Sequence, residues 1–130
     1  MNKFMLKQLT PIFCVETIEP SLPFWTKLGF ALIVEVPDGD RLGFVILIRE
    51  SVQIMYQTWR SLGQDLPALS HGSTSGSIVL YIDVDRLDDI LPHLDGVEVI
   101  VPRRTTSYGA DEIFVREPGG HVVGFAEHHE

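Results

Sequence analysis

The sequence predicts an α+β fold built from two βαβββ halves, and three observations carry that expectation. A short apolar run leading into a helical pattern occurs twice, at residues 9–28 and again at 78–94. Each helical pattern closes at a glycine, Gly29 or Gly96, and three strand-like runs follow it. A stretch rich in Gly, Ser and Pro, residues 58–77, lies between the two. Identity between the halves is faint, so the repeat rests on element order, with a period of about 65 residues.

In the first half, Leu9 to Val15 reads as a strand. Pro20 then sits in the first turn of a short helix, where a missing amide costs least, and Leu22, Trp25 and Leu28 follow at three-residue spacing. Phe30 to Val36 reads as a β-branched strand. Pro37-Asp38-Gly39-Asp40 is a turn in which Asp-Gly suits a tight hairpin. Leu42 to Ile48 and Val52 to Gln57 complete the three strands. Residues 58–77 read as a long loop, with Trp59 and Leu66 favouring partial packing, either as a lid or as a connector.

The second half opens with a strand from Ile78 to Asp83. Asp85 is placed to cap a helix whose Leu87, Ile90, Leu91 and Leu94 fall at i, i+3, i+4 and i+7. Pro92 should kink or shorten that helix. Val97 to Val101, Glu112 to Arg116 and His121 to Glu127 read as strands, the last two joined by the turn Glu117-Pro118-Gly119-Gly120.

Composition limits the function. The 130 residues are 45% hydrophobic and 22% charged, a globular balance with room for one core and no apolar run of membrane-spanning length. The net charge of −8 argues against nucleic acid or an anionic membrane as partner, and the Arg103-Arg104 pair is too small to reverse it. Met1 to Lys7 lacks the apolar core of a leader peptide, so a cytoplasmic location is expected. The single cysteine, Cys14, excludes an intrachain disulfide and reads as buried filler.

Three segments carry a family resemblance. They are Pro11-Ile12-Phe13-Cys14-Val15-Glu16-Thr17 with Ser21–Trp25 and Lys27-Leu28-Gly29-Phe30; Tyr81-Ile82-Asp83-Val84-Asp85-Arg86-Leu87; and Tyr108-Gly109 followed by Phe114–Glu127. In that order and spacing the sequence resembles the vicinal oxygen chelate superfamily of glyoxalases, bleomycin-resistance proteins and extradiol dioxygenases, across about residues 8–128. The resemblance implies one domain in which two modules, about residues 6–57 and 78–128, form a cup-shaped mixed sheet with helices on its convex side. It also implies a homodimer.

Enzymes of that family hold a divalent metal with ligands from four strands of the cup floor. By the resemblance those positions fall at Thr10 (Pro11 if the register slips by one), Gln53, Val79 and Gly124. None carries an imidazole or a carboxylate, so no metal and no cofactor is expected. The five histidines make no ligand pattern elsewhere, and His128 and His129 read as a solvated tail.

Strand alternation then assigns the faces. If Gln53 points into the cup, so do Met55 and Gln57, with Thr10, Ile12 and Cys14 from the first strand. Val79, Tyr81 and Asp83 join them from the second half, with Val122, Gly124 and Ala126 from the last strand. Trp59 and Tyr108 fall on segments suited to the rim. Asp83 should reach solvent there or meet a cation such as Arg104. The expected ligand-binding residues are thus Thr10, Gln53, Met55, Gln57, Trp59, Tyr81, Arg104 and Tyr108; no catalytic residue is assigned. Apolar walls with a few orienting polar groups suit a small-molecule pocket. The expected function is metal-independent binding of a small molecule, extending to sequestration of an antibiotic or other aromatic or cationic compound. The alternatives are a lyase, isomerase or dioxygenase-like enzyme with a non-standard site, drawing on Asp83, Tyr81 or Cys14, and an interaction module with a filled cup.

Overall fold

The computed structural model describes residues 8–65 and 79–129. The first half contains β1 (Ile12–Val15), α1 (Leu22–Lys27), β2 (Ala31–Asp38), β3 (Arg41–Arg49), β4 (Val52–Thr58) and α2 (Trp59–Asp65). The second contains β5 (Val79–Asp83), α3 (Leu87–Ile90), β6 (Glu98–Thr105), β7 (Ala110–Arg116) and β8 (Val122–His128). Two βαβββ modules in an α+β fold are therefore present, as expected.

Hydrogen bonding joins the strands within each half, in the orders β1-β4-β3-β2 and β5-β8-β7-β6. In both sheets the first strand pairs in parallel with the last, and the remaining pairs are antiparallel. What the halves share is a core. Phe13, Val15, Val45, Leu47, Ile54 and Tyr56 of the first sheet and Ile113, Val115, Val123 and Phe125 of the second belong to one buried cluster, with Trp25 of α1, Leu28 just after it and Leu87 of α3. Each sheet thus has a helix-covered face, which forms the core, and an open face. The alternation along β4, with Ile54 and Tyr56 buried beneath α1, is the one expected from Gln53 pointing the other way.

A buried polar chain ties the halves together. Trp25 Nε1 donates to Tyr56 Oη at 2.7 Å, and the Tyr56 hydroxyl donates to Glu117 Oε2 at 2.8 Å. Glu117, itself 1% exposed, also accepts from the Gly119 and His121 amides of its own turn. The His121 ring stacks on Phe13 at 4.3 Å.

Several local expectations need correction. The first part of the expected loop is helical: Thr58 Oγ1 accepts the Ser61 amide at 3.1 Å, and Leu62 is buried. Gly63 misled, because a glycine inside one short helical turn reads as loop. The rest of that stretch, residues 66–78, lies outside the described residues. Asp85 does not cap α3; the N-cap is Arg86, and the Leu87 amide is taken by Glu127 Oε1 at 2.7 Å. Pro92 shortens α3 as expected, and the chain continues as a 3-10 turn over Leu91–Leu94. The β2–β3 hairpin turns on Gly39-Asp40 rather than Asp38-Gly39, with Gly39 taking the positive φ of 69° that a tight hairpin demands at its first central position. β1 begins only at Ile12, after Pro11, which has no amide to give to a ladder.

Candidate ligand-binding site

The open faces of the two sheets differ in chemistry. On the first, Ile12, Met55, Phe44 and Val36 line a hollow together with Gln57 and with Ser61, Gln64 and Asp65 of α2. Among the described residues this hollow draws its walls from the first half alone. Gln57 Nε2 donates to Ser61 Oγ at 3.1 Å, and Gln53 Nε2 reaches Thr10 Oγ1 at 3.4 Å. The face is apolar with two amides set into it.

The second open face is built around Glu112 of β7. Register places it beside Ala126 of β8 and Arg104 of β6, so its side chain shares a face with Phe114, Gly124 and Tyr81. The residue is fully buried. Its Oε1 accepts from Arg104 Nε at 3.0 Å and Nη2 at 2.6 Å, and its Oε2 accepts from the Tyr81 hydroxyl at 2.6 Å. The Tyr108 hydroxyl lies 3.0 Å from both oxygens. The Tyr81 hydroxyl, hydrogen-bonded to Glu112, is the main force holding that carboxyl below its ordinary range; burial opposes it, and Arg104 and Tyr108 add to it. The same contact pushes the Tyr81 phenol upward. Tyr81 commits its one proton to Glu112, so His128 Nε2, 3.3 Å away, is the donor to the phenol oxygen. His128 also lies 3.2 Å from Asp83.

Three of the expected residues, Tyr81, Arg104 and Tyr108, thus converge on one carboxylate that was not among them. Thr10, Gln53, Met55 and Gln57 belong to the first open face. Trp59 stands apart, lining a groove with Cys14, Val15, Glu16, Thr17, Pro20, Pro118 and Gly119 at the end of that sheet. Asp83 does reach solvent, with a side chain 77% exposed, but its partner is His128 and not Arg104. His128 is not a solvated tail, because β8 runs through it and turns its ring onto Tyr81. Cys14 is half-buried, and burial raises its thiol pKa, which fits filler better than a nucleophile. Glu112 was within reach of the sequence. Alternation counted back from Phe114 along β7 puts it on the open face.

The family's metal does not fit these residues. Thr10 and Gln53 offer one hydroxyl and one amide, and Val79 offers no donor. At Gly124 a Cβ would stand 2.5 Å from the Phe114 ring, so that ring fills the space an acidic side chain would need. Among the described residues no group of three His, Cys, Asp or Glu is placed to hold a metal ion.

A sequence model described as the Glyoxalase/Bleomycin resistance protein/Dioxygenase superfamily matches residues 6–125. No curated protein matches the chain. Among solved structures, a glyoxalase/bleomycin resistance protein/dioxygenase from Nocardioides is 19% identical with a TM-score of 0.75, over 98% of this chain and 87% of that one. A glyoxalase/bleomycin resistance protein/dioxygenase family enzyme from Burkholderia phytofirmans PsJN is 17% identical with a TM-score of 0.77, over 92% and 97%. A lactoylglutathione lyase from Agrobacterium tumefaciens is 13% identical with a TM-score of 0.72, over 93% and 92%. At these identities the likeness is one of fold. With the family match running through both modules, the chain belongs to the glyoxalase/bleomycin resistance protein/dioxygenase superfamily.

Proposed function

We propose that the protein is a metal-independent small-molecule-binding protein, a single domain acting as a cytoplasmic homodimer, whose ligand is an aromatic or cationic compound such as an antibiotic. The observation that carries this reading is the state of the open faces. Ile12 and Val36 on the first face are 50% and 46% exposed, in the sheet that carries the Gln53 and Gln57 amides. Val79 and Tyr81 on the second are 48% and 45% exposed, Tyr81 being one of the groups that converge on Glu112. Apolar surface of that kind, rimmed by polar groups, marks a place where something binds. A second copy meeting these faces would enclose a ligand between them.

The alternative, a lyase, isomerase or dioxygenase-like enzyme with a non-standard site, gains one observation, the 2.6 Å Tyr81–Glu112 contact. It favours binding over catalysis all the same. A carboxylate held low by three donor side chains is a weak base at neutral pH.

Thermal-shift titration tests the reading, with aromatic cations in one arm and Zn²⁺, Ni²⁺ and Fe²⁺ in the other, alongside light scattering. The expected result is a saturable rise in Tm with an aromatic compound, none with the metals, and a mass near twice 14.6 kDa. Strong stabilisation by a divalent metal, lost in Gln53→Ala, would overturn it.

A further inference from the structure

The ion pair on the second open face has unequally placed members. Glu112 is fully buried, whereas the Arg104 side chain is 54% exposed. Arg104 stands on β6, the edge strand of its sheet, next to a register irregularity between Val101 and Arg104. It is therefore the partner that can leave, and Glu112 is the one that cannot. Both donors that Arg104 offers go to the same oxygen, Oε1, while Tyr81 holds Oε2. A departing arginine would strip Oε1 of its charged donors and leave the phenols in place.

The walls suit a cation as well. Tyr81 and Tyr108 flank the carboxylate, and the His128 ring lies behind them, 5.9 Å from that of Tyr81 and 6.5 Å from that of Tyr108. Both tyrosines meet the carboxylate through their hydroxyls, and a carboxylate set among phenols suits a planar, weakly hydrated cation that can take the place of the Arg104 guanidinium. With Arg104 swung out, two carboxylates remain here, Glu112 and Asp83, the latter beside His128. An anionic ligand would meet repulsion from both.

We infer that Glu112, walled by Tyr81 and Tyr108, is a recognition site for a guanidinium or amidinium group of a ligand, and that Arg104 is its resident occupant, displaced when that ligand enters. The inference rests on the reading that the open faces bind a small molecule, and it names the chemistry they select. The shape of the cation follows from Arg104, whose own guanidinium already satisfies the site.

Calorimetric titration with three probes of one shape provides the test: benzamidinium, neutral benzamide and anionic benzoate. The expected result is that benzamidinium binds the wild type and the other two do not, with the variants behaving as follows. Arg104→Ala tightens it about tenfold, the gain expected when an occupant filling the site nine-tenths of the time is removed. Arg103→Ala makes the same change of net charge but removes an arginine paired with Asp88 and Asp111, and it leaves the affinity unchanged. Glu112→Gln abolishes binding. Tyr108→Phe, which keeps the exposed ring and removes only the hydroxyl on Glu112, is expected to leave benzamidinium binding dependent on Glu112 and Arg104 as before. Benzoate binding that is lost in Arg104→Ala would overturn the inference, as would equal affinities in the two arginine variants. Benzamide binding as well as benzamidinium, indifferent to Glu112→Gln, would leave the small-molecule reading standing and remove the charge assignment. Failure of benzamidinium to bind wild type and Arg104→Ala alike overturns the assignment too.

Discussion

Glu112 stays ionised inside the fold because Tyr81, Tyr108 and Arg104 supply the donors that water would otherwise supply. That arrangement links the residue to acid stability. Its folded-state pKa lies below the ordinary carboxylate value of 4.5. Its contribution is therefore complete above the unfolded-state value and is lost as pH falls through the lower, folded one. Glu19, Asp88 and Asp111 are held low as well, by the Leu42 amide, the Arg103 guanidinium and the Thr105 hydroxyl respectively, so overall acid lability does not isolate Glu112. A variant difference does. We expect the stability gap between wild type and Glu112→Gln, measured by urea denaturation, to be largest at neutral pH, to begin to shrink as pH falls below the unfolded-state carboxylate value and to close only below the lower, folded-state one. A gap that held constant or widened on acidification would show that the carboxylate's charge is not what the fold uses.

Short helices in this fold depend on caps that come from elsewhere. α3 is four residues long, has no capping side chain of its own, and has its first amide bound by Glu127 of β8. Glu127→Ala should cost about 1 kcal/mol, within the range for lost caps, and should speed hydrogen exchange at the Leu87 amide before that of β8. Unchanged exchange there would assign the cap to other groups. The same elements show what can be read in a sequence. β3 alternates cleanly and β4 does so as far as Tyr56, so their faces, and with them Gln53, Met55 and Gln57, followed from counting by two, although Gln57 and Thr58 at the end of β4 are both buried. β6 carries register irregularities between Val99 and Val101 and again between Val101 and Arg104, which break that count. Arg104 was therefore legible as a cation near the rim and Glu112 as an open-face residue of β7, but the broken register of β6 hid that the two pair. Asp83 looked the natural choice from proximity in the second module. Caps such as Glu127 to Leu87 span 40 residues and leave no local trace.

At the scale of the whole molecule, the described parts of the two halves are held together by packing and by a buried polar chain, with a His121 to Cys14 carbonyl contact at 3.2 Å beside it, rather than by a shared ladder. The tyrosine at its centre touches both halves, since Tyr56 lies on β4 and Glu117 in the turn before β8. Burial and the neighbouring Glu117 carboxylate push the Tyr56 phenol far above its usual range, so it remains a donor at every pH the protein tolerates. Tyr56→Phe keeps the ring, including its edge contact with Phe13 at 5.2 Å, and removes only the oxygen. That one change leaves the Trp25 indole N–H without its acceptor and takes one of three donors from a buried carboxylate. Each orphaned group costs about 1–3 kcal/mol, so the variant should lose about 3 kcal/mol in urea denaturation. Because the core is continuous across both sheets, the loss should fall on the halves together. Tryptophan fluorescence, reporting from Trp25 and Trp59 in the first half, and far-UV circular dichroism, reporting from all strands, should shift to the same lower midpoint with unchanged slope. Two separated transitions in the variant would mean that the hydrogen-bond chain, and not the shared apolar core, makes the halves fold as one.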